Sequence, residues 1–140
     1  MKTKNLFKRT LLFAGALALF LLLAAAVLVI YVDPFFHYHR PLKGFPYLID
    51  NQLSQNPGMA KNMEYDSVIL GSSMTVNFQT DWFQELMGLN TIKLSYSGAF
   101  PKDQSNIMKI IFDSRNNQDG HKLKKVFLGV DVTTYTGGVE

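Results

Sequence analysis

The chain has 140 residues, no cysteine, and 14 Lys and Arg against 11 Asp and Glu. That length allows at most one modest domain, and the missing thiols exclude disulfides, thiolate metal sites and cysteine nucleophiles. The positive excess sits in Lys2, Lys4, Lys8 and Arg9; ten cations and eleven acids remain beyond them, so no basic field steers the chain to nucleic acid.

Residues 1–10 form a basic tail, and no charge follows from Leu11 to Val32. A helix rising about 1.5 Å per residue needs roughly 20 residues to cross a hydrocarbon layer of about 30 Å, so 11–32 is expected to span a membrane. Basic residues flanking a first span stay on the cytoplasmic side, which sets the tail inside and residue 33 onward outside. The competing reading is a signal peptide cleaved near Ala24-Ala25-Ala26. The apolar run continues through Val27 to Val32, with Tyr31 placed as an interfacial aromatic, and favours an uncleaved anchor in the bilayer.

Residues 33–64 carry Pro34, Pro41, Pro46 and Pro57 among five aromatics, Phe35, Phe36, Tyr38, Phe45 and Tyr47. Four prolines in this stretch predict an extended, turn-rich collar without a long helix. Its aromatics suit either the lipid headgroup boundary or a surface packed on the following domain. His37 and His39, spaced i, i+2, would point the same way from an extended segment. No third ligand accompanies them, so interfacial imidazoles are preferred over a metal pair.

The texture changes at Tyr65, and residues 65–140 read as an α/β domain. Asp66 to Leu70 predicts a buried strand ending at Gly71. A helix follows, with Asp81 as N-cap, Gln84 three positions on, Trp82, Phe83, Leu86 and Met87 as apolar positions, and Gly88 as terminator. Asn90 to Leu94 is a second strand with Ile92 and Leu94 on one face. Pro101 opens another helix at its first position, with an apolar stripe of Ile107, Ile110 and Ile111. After a turn at 116–120, Lys125 to Val132 predicts a third strand, and its continuous apolar run Val126 to Val130 is of the kind covered on both faces. His121 and Lys122, Lys124 and Lys125 before it read as solvated.

The order β-α-β-α-β implies right-handed crossovers and a parallel sheet. Chemistry in such sheets gathers beyond the carboxyl ends of the strands. Three loops fall there: Gly71-Ser72-Ser73, Ser97-Gly98-Ala99 and Asp131-Val132-Thr133. A serine between strand and helix can present a hydroxyl beside backbone N–H donors suited to an oxyanion, or it can simply cap the helix. Both readings stand on the residues alone.

Val68-Ile69-Leu70-Gly71-Ser72-Ser73-Met74 resembles the first block of the SGNH/GDSL hydrolase superfamily. The apolar span, Asp33-Pro34-Phe35-Phe36-His37-Tyr38-His39 and Gly71 to Thr75 together are similar to membrane-anchored SGNH-like proteins of Firmicutes. More distant likenesses are the D-alanyl transfer protein of teichoic-acid modification and the alginate O-acetylation proteins. The resemblance implies a flavodoxin-like three-layer fold whose last strands lie outside this chain. It makes Ser73 the nucleophile and the Ser73 and Gly98 N–H groups oxyanion donors, with Ser72 and Thr75 as substrate contacts. Asp131 stands where the family has an oxyanion asparagine, and an ionised aspartate cannot donate a hydrogen bond. The family's base, a histidine three residues after an aspartate, has no counterpart, because no Asp-x-x-His occurs here.

The expected function is therefore that of an extracytoplasmic serine esterase or O-acyltransferase lineage acting on envelope glycan or lipid, without cofactor or metal. Residues 1–140 alone are expected to turn over negligibly. The alternatives are an anchored accessory module that binds an envelope glycan or a membrane partner protein, and a small anchored protein without a site. With three strands of an implied five, the last strand should also leave an uncovered apolar edge.

Overall fold

The computed structural model describes residues 2–116 and 122–132. These divide after Asp33 into two units.

The first unit is α1, Lys2–Val32. Within it Asn5–Val32, 28 residues, is long and apolar enough to cross a membrane, at about 42 Å of helix. The helix thus begins well before the predicted Leu11. Lys8 and Arg9 lie inside it, where long stems can carry their charges toward a polar boundary. Asp33 ends it with φ +46 while its N–H still donates to Val29 O at 2.8 Å, and Pro34 follows.

The second unit contains α2 (Gln52–Asn62), β1 (Ser67–Leu70), α3 (Ser73–Val76), α4 (Thr80–Met87), β2 (Thr91–Lys93), α5 (Pro101–Asn116) and β3 (Lys125–Leu128). The strands form one parallel sheet in the order β2-β1-β3. β1 has neighbours on both sides and is wholly buried. Side chains alternate across a strand, so Val68, Leu70, Ile92 and Leu94 share one face. There they build the core with Met59 and Ala60 of α2, Ile107 and Ile111 of α5, and Phe36 and Tyr65. Ile69 points the other way. Its register partner Phe127 meets Phe83 of α4 at a ring separation of 4.6 Å. Helices therefore lie on both faces of the sheet.

The collar reading fails at α2, an 11-residue helix with Pro57 inside it. An internal proline removes one helical hydrogen bond and costs about 3 kcal/mol. Tertiary contacts offset that cost. Asn51 caps the helix by accepting from the Ser54 N–H. The amides of Gln55, Asn56 and Asn62 donate to Pro34 O and Leu48 O, to Leu94 O, and to Phe36 O respectively. Gly58 brings the helix against the 35–36 backbone, where a Cβ would lie 2.2 Å from Phe35 O. The collar aromatics separate accordingly. Phe36 is in the core at φ +59, whereas Phe35, Tyr38 and Phe45 are exposed.

Two helix details depart from expectation. α4 begins at Thr80 with Gln79 at its cap, so Asp81 sits in the first turn. Gly88 closes the helix in the left-handed conformation as predicted. Of the apolar positions on α4, Trp82, Leu86 and Met87 are exposed, and Phe83 makes the sheet contact.

Among the described residues β3 is an edge strand, and it is not buried on both faces. Val126 and Leu128, in register with Val68 and Leu70, are 41% and 50% exposed. Among the described residues the expected apolar edge is uncovered. At the amino ends of the strands, Asp66 ties the sheet together. Its carboxylate accepts from Lys124 Nζ at 2.7 Å and from Ser67 Oγ at 2.9 Å, and its carbonyl accepts from Lys124 N. Lys124 is thus an ion-pair partner as well as a solvated side chain, whereas His121 lies outside the described residues.

Candidate functional site

The carboxyl ends of the strands are held level by two hydrogen bonds from the flanking chains to β1. Leu94 N donates to Ile69 O at 2.9 Å, and Gly129 N donates to Leu70 O at 2.8 Å. Neighbouring strands lie about 4.8 Å apart, so the three loops leave the sheet side by side. Because β2 and β3 lie on opposite sides of β1, the chain changes direction at β1. In open parallel sheets such a switch leaves a crevice between the diverging loops.

Gly71 leaves β1 at φ +153, and a Cβ there would lie 2.5 Å from Thr75 Oγ1. A Cβ on Gly129 would lie 2.1 Å from Thr75 Cγ2. The Thr75 side chain therefore wedges between the glycines that follow β1 and β3. Its hydroxyl donates to Ser72 O at 2.8 Å and is buried. Thr75, expected to contact substrate, instead fixes the loop, since its methyl and hydroxyl are both committed inside.

Ser72 is 4% exposed, and its Oγ donates to Asp131 Oδ2 at 3.1 Å. It stands at the N-cap position of α3 without making a side-chain cap bond. Neither the capping reading nor direct substrate contact describes it. The hydroxyl spans the switch point and joins the first loop to the third. Asp131 is the acceptor in that bond, where the resemblance had an oxyanion donor. Thr133 of the third loop lies outside the described residues.

Ser73, the next residue, is exposed at the first position of α3. Gly98 is exposed too, with φ +80 and open space where a Cβ would be. It is the third residue of a turn closed by Ala99 N donating to Tyr96 O at 3.2 Å, a position that favours glycine. The three loops therefore bring an exposed serine and an exposed glycine turn to the ends of adjacent strands, with a Ser72–Asp131 bond between β1 and β3.

No base adjoins Ser73 through a hydrogen bond among the described residues. The His39 ring pairs with the adjacent Arg40 carbonyl at 2.7 Å, and His37 lies against Phe35. No group of three metal-binding side chains occurs among the described residues.

Sequence reasoning passed over Tyr96. Burial first, and then the hydrogen bond and negative charge of Asp103, push its phenol up to about 12. Asp103 also accepts from the Phe100 N–H at 2.9 Å, the reach-back of a third-position acid at a helix start. Together they hold the second loop against the start of α5. The tyrosine before Ser97-Gly98 and an acid two residues after Pro101 were a visible cue.

Comparison with protein-family models, with curated proteins and with solved structures gave no match.

Proposed function

We propose that the chain is a membrane-anchored, extracytoplasmic protein of the SGNH hydrolase type, its tail cytoplasmic and its α/β unit outside. Ser73 is the nucleophile toward an acyl group carried by an envelope glycan or lipid. Its own N–H and that of Gly98 stabilise the oxyanion, in the manner of preorganised amide donors. The supporting observation is the exposed Ser73 in the first turn after the central strand of a parallel sheet, with an exposed left-handed turn at Gly98 in the loop after the adjacent strand. Serine needs an adjacent base to attack, and residues 1–140 supply none by sequence motif. They hold the nucleophile and oxyanion half of such a site and turn over negligibly by themselves.

A second reading has its own support. The buried Ser72 hydroxyl and Asp131 satisfy each other, which suits a rigid rim in a non-catalytic accessory module binding an envelope glycan or a membrane protein.

The test is a fluorophosphonate probe, applied with aryl acetate hydrolysis. On the hydrolase reading, residues 1–140 give hydrolysis at the buffer rate. The same unit in a gene product that supplies Asp-x-x-His labels with the probe and loses labelling in Ser73→Ala. Absence of Ser73-dependent labelling in such a product favours the accessory module. Hydrolysis by residues 1–140 that Ser73→Ala abolishes would overturn the requirement for a base from elsewhere.

A further inference from the structure

Apolar side chains crowd the surface of the second unit close to where its chain begins. Phe35, Phe45 and Leu48 are 38%, 45% and 74% exposed, and they line one open concavity of about 540 Å³. Asp50, Asn51 and Gln55 add polar groups to its wall. Apolar residues exposed singly are ordinary, but a contiguous aromatic and aliphatic group marks a surface that something covers.

The patch has a fixed place along the chain. Gln55 Nε2 donates to Pro34 O at 3.1 Å and to Leu48 O at 2.8 Å, so one nitrogen holds those two carbonyl oxygens within about 6 Å of each other. Asn62 Nδ2 donates to Phe36 O, and the Phe36 ring is buried in the core. The backbone of 34–36 is therefore clamped to α2 without a free linker. Pro34 comes two residues after Val32, the last residue of α1. Two Cα steps of about 3.8 Å and the Gln55 bridge keep the Leu48 backbone within roughly 15 Å of that helix end, however the unit turns.

That distance selects the occupant. Val32 closes a helix long and apolar enough to cross a membrane, and a headgroup layer of roughly 5–8 Å lies beyond the hydrocarbon on each side. Aromatic and aliphatic side chains are favoured at that boundary when their polar neighbours stay wet. Asp50 and Asn51 are exposed, and a hydrated headgroup layer leaves them solvated, whereas a dry protein interface has to pair each of them. Arg40 is held by Glu64, and Lys43 and Asp50 cancel, so the attraction is apolar rather than ionic.

We propose that Phe35, Phe45 and Leu48 insert into the outer leaflet at the boundary of headgroups and acyl chains, so that the second unit docks on the bilayer instead of swinging from its anchor. Docking of this kind rests on the anchored topology proposed above and not on the hydrolase chemistry. Its consequence is orientation: the unit keeps one constant side toward the lipid.

The chain has no cysteine, so single nitroxide labels report on one position each. Leu21→Cys, Phe45→Cys and Leu48→Cys are labelled in the full chain, with a single chain per phosphatidylglycerol nanodisc, and their paramagnetic relaxation by oxygen and by a water-soluble nickel chelate is measured. Oxygen concentrates in hydrocarbon and is expected to exceed nickel at all three sites, as for side chains held about 5–10 Å into the boundary or deeper. Leu48 is largely exposed, so Leu48→Asp should leave the unfolding midpoint unchanged. In the chain labelled at Phe45→Cys, it should shift docking about tenfold toward the free form and raise nickel access accordingly. Nickel exceeding oxygen at Phe45 and Leu48, with Leu21 still in hydrocarbon, would overturn docking and leave the anchor intact. Exclusion of both relaxants from those two sites would mean that protein covers the patch, a second copy or another segment, and would overturn it equally. Nickel access at Leu21 would remove the anchor itself, and docking with it.

Discussion

Replacing Gly58 by alanine tests the packing of α2 most directly. On propensity alone the change should help, since alanine exceeds glycine by about 1 kcal/mol in a helix interior. The tertiary contacts reverse the sign. An added Cβ would sit 2.2 Å from Phe35 O and 2.6 Å from both C and O of Phe36. Those are backbone atoms, and carbon contacts settle at about 3.5 Å or more, so α2 must withdraw by about 1 Å. Overpacking of this kind costs about 1–3 kcal/mol. Withdrawal also stretches the Asn62 Nδ2 to Phe36 O bond, now 2.6 Å. Leaving such a carbonyl unpaired adds about 1–3 kcal/mol. Set against the helix gain, the expected net loss is about 1–5 kcal/mol. Denaturant unfolding of the full chain in micelles, followed by tyrosine and tryptophan fluorescence, should show a clearly lowered midpoint. Gly88→Ala is the control: it has φ +63 and nothing within 4 Å of a Cβ, so only backbone strain of about 1–2 kcal/mol applies. A Gly58→Ala protein as stable as wild type would refute the close-approach argument.

Three further outcomes follow from the sheet and its loops. The Lys124 ammonium beside Asp66 holds its carboxyl below the usual carboxylate range, so its contribution to stability is present above about pH 4 and lost as pH falls through the lowered folded value. Asp66→Asn should flatten that part of the acid unfolding curve, and an unchanged curve would count against the staple. The Tyr96 phenol is raised, so the stability it carries is present below about pH 10 and lost as pH rises through about 12. In Tyr96→Phe, the component of the ultraviolet phenolate titration near pH 12 should vanish. Gly129→Ala should destabilise by about 1–3 kcal/mol, because the new methyl meets Thr75 Cγ2 at 2.1 Å, and paired Thr75→Ser should recover most of the loss in thermal unfolding.

The strands were legible because short apolar runs ending at glycine or a polar loop carry their own boundaries. Ser67–Leu70, Thr91–Lys93 and Lys125–Leu128 fall inside the predicted segments. Pro101 at the first position of α5 and Gly88 at the end of α4 were equally readable, since each acts through local backbone geometry. α2 was not. Its residues Gln52 to Asn62 are polar and contain proline, and the bonds that offset this run to Pro34, Phe36, Leu48 and Leu94. The site divided in the same way. The loops holding Ser73 and Gly98 were legible as loops at strand ends, whereas the turning inward of Ser72 and Thr75 depends on Asp131 and Gly129, more than fifty residues later.

By itself, then, the sequence determined an apolar helix long enough for a membrane, three strands, the parallel order of the sheet and the loops that meet at its carboxyl rim. These follow from length, periodicity and local backbone preference, which act within a few residues. Only the tertiary structure decided that a proline-containing polar segment becomes a core helix, that β3 is an exposed edge, and that Ser72 faces Asp131 while Ser73 faces solvent. Each of those depends on hydrogen bonds and close approaches between residues far apart in the chain, and no local pattern encodes such a meeting.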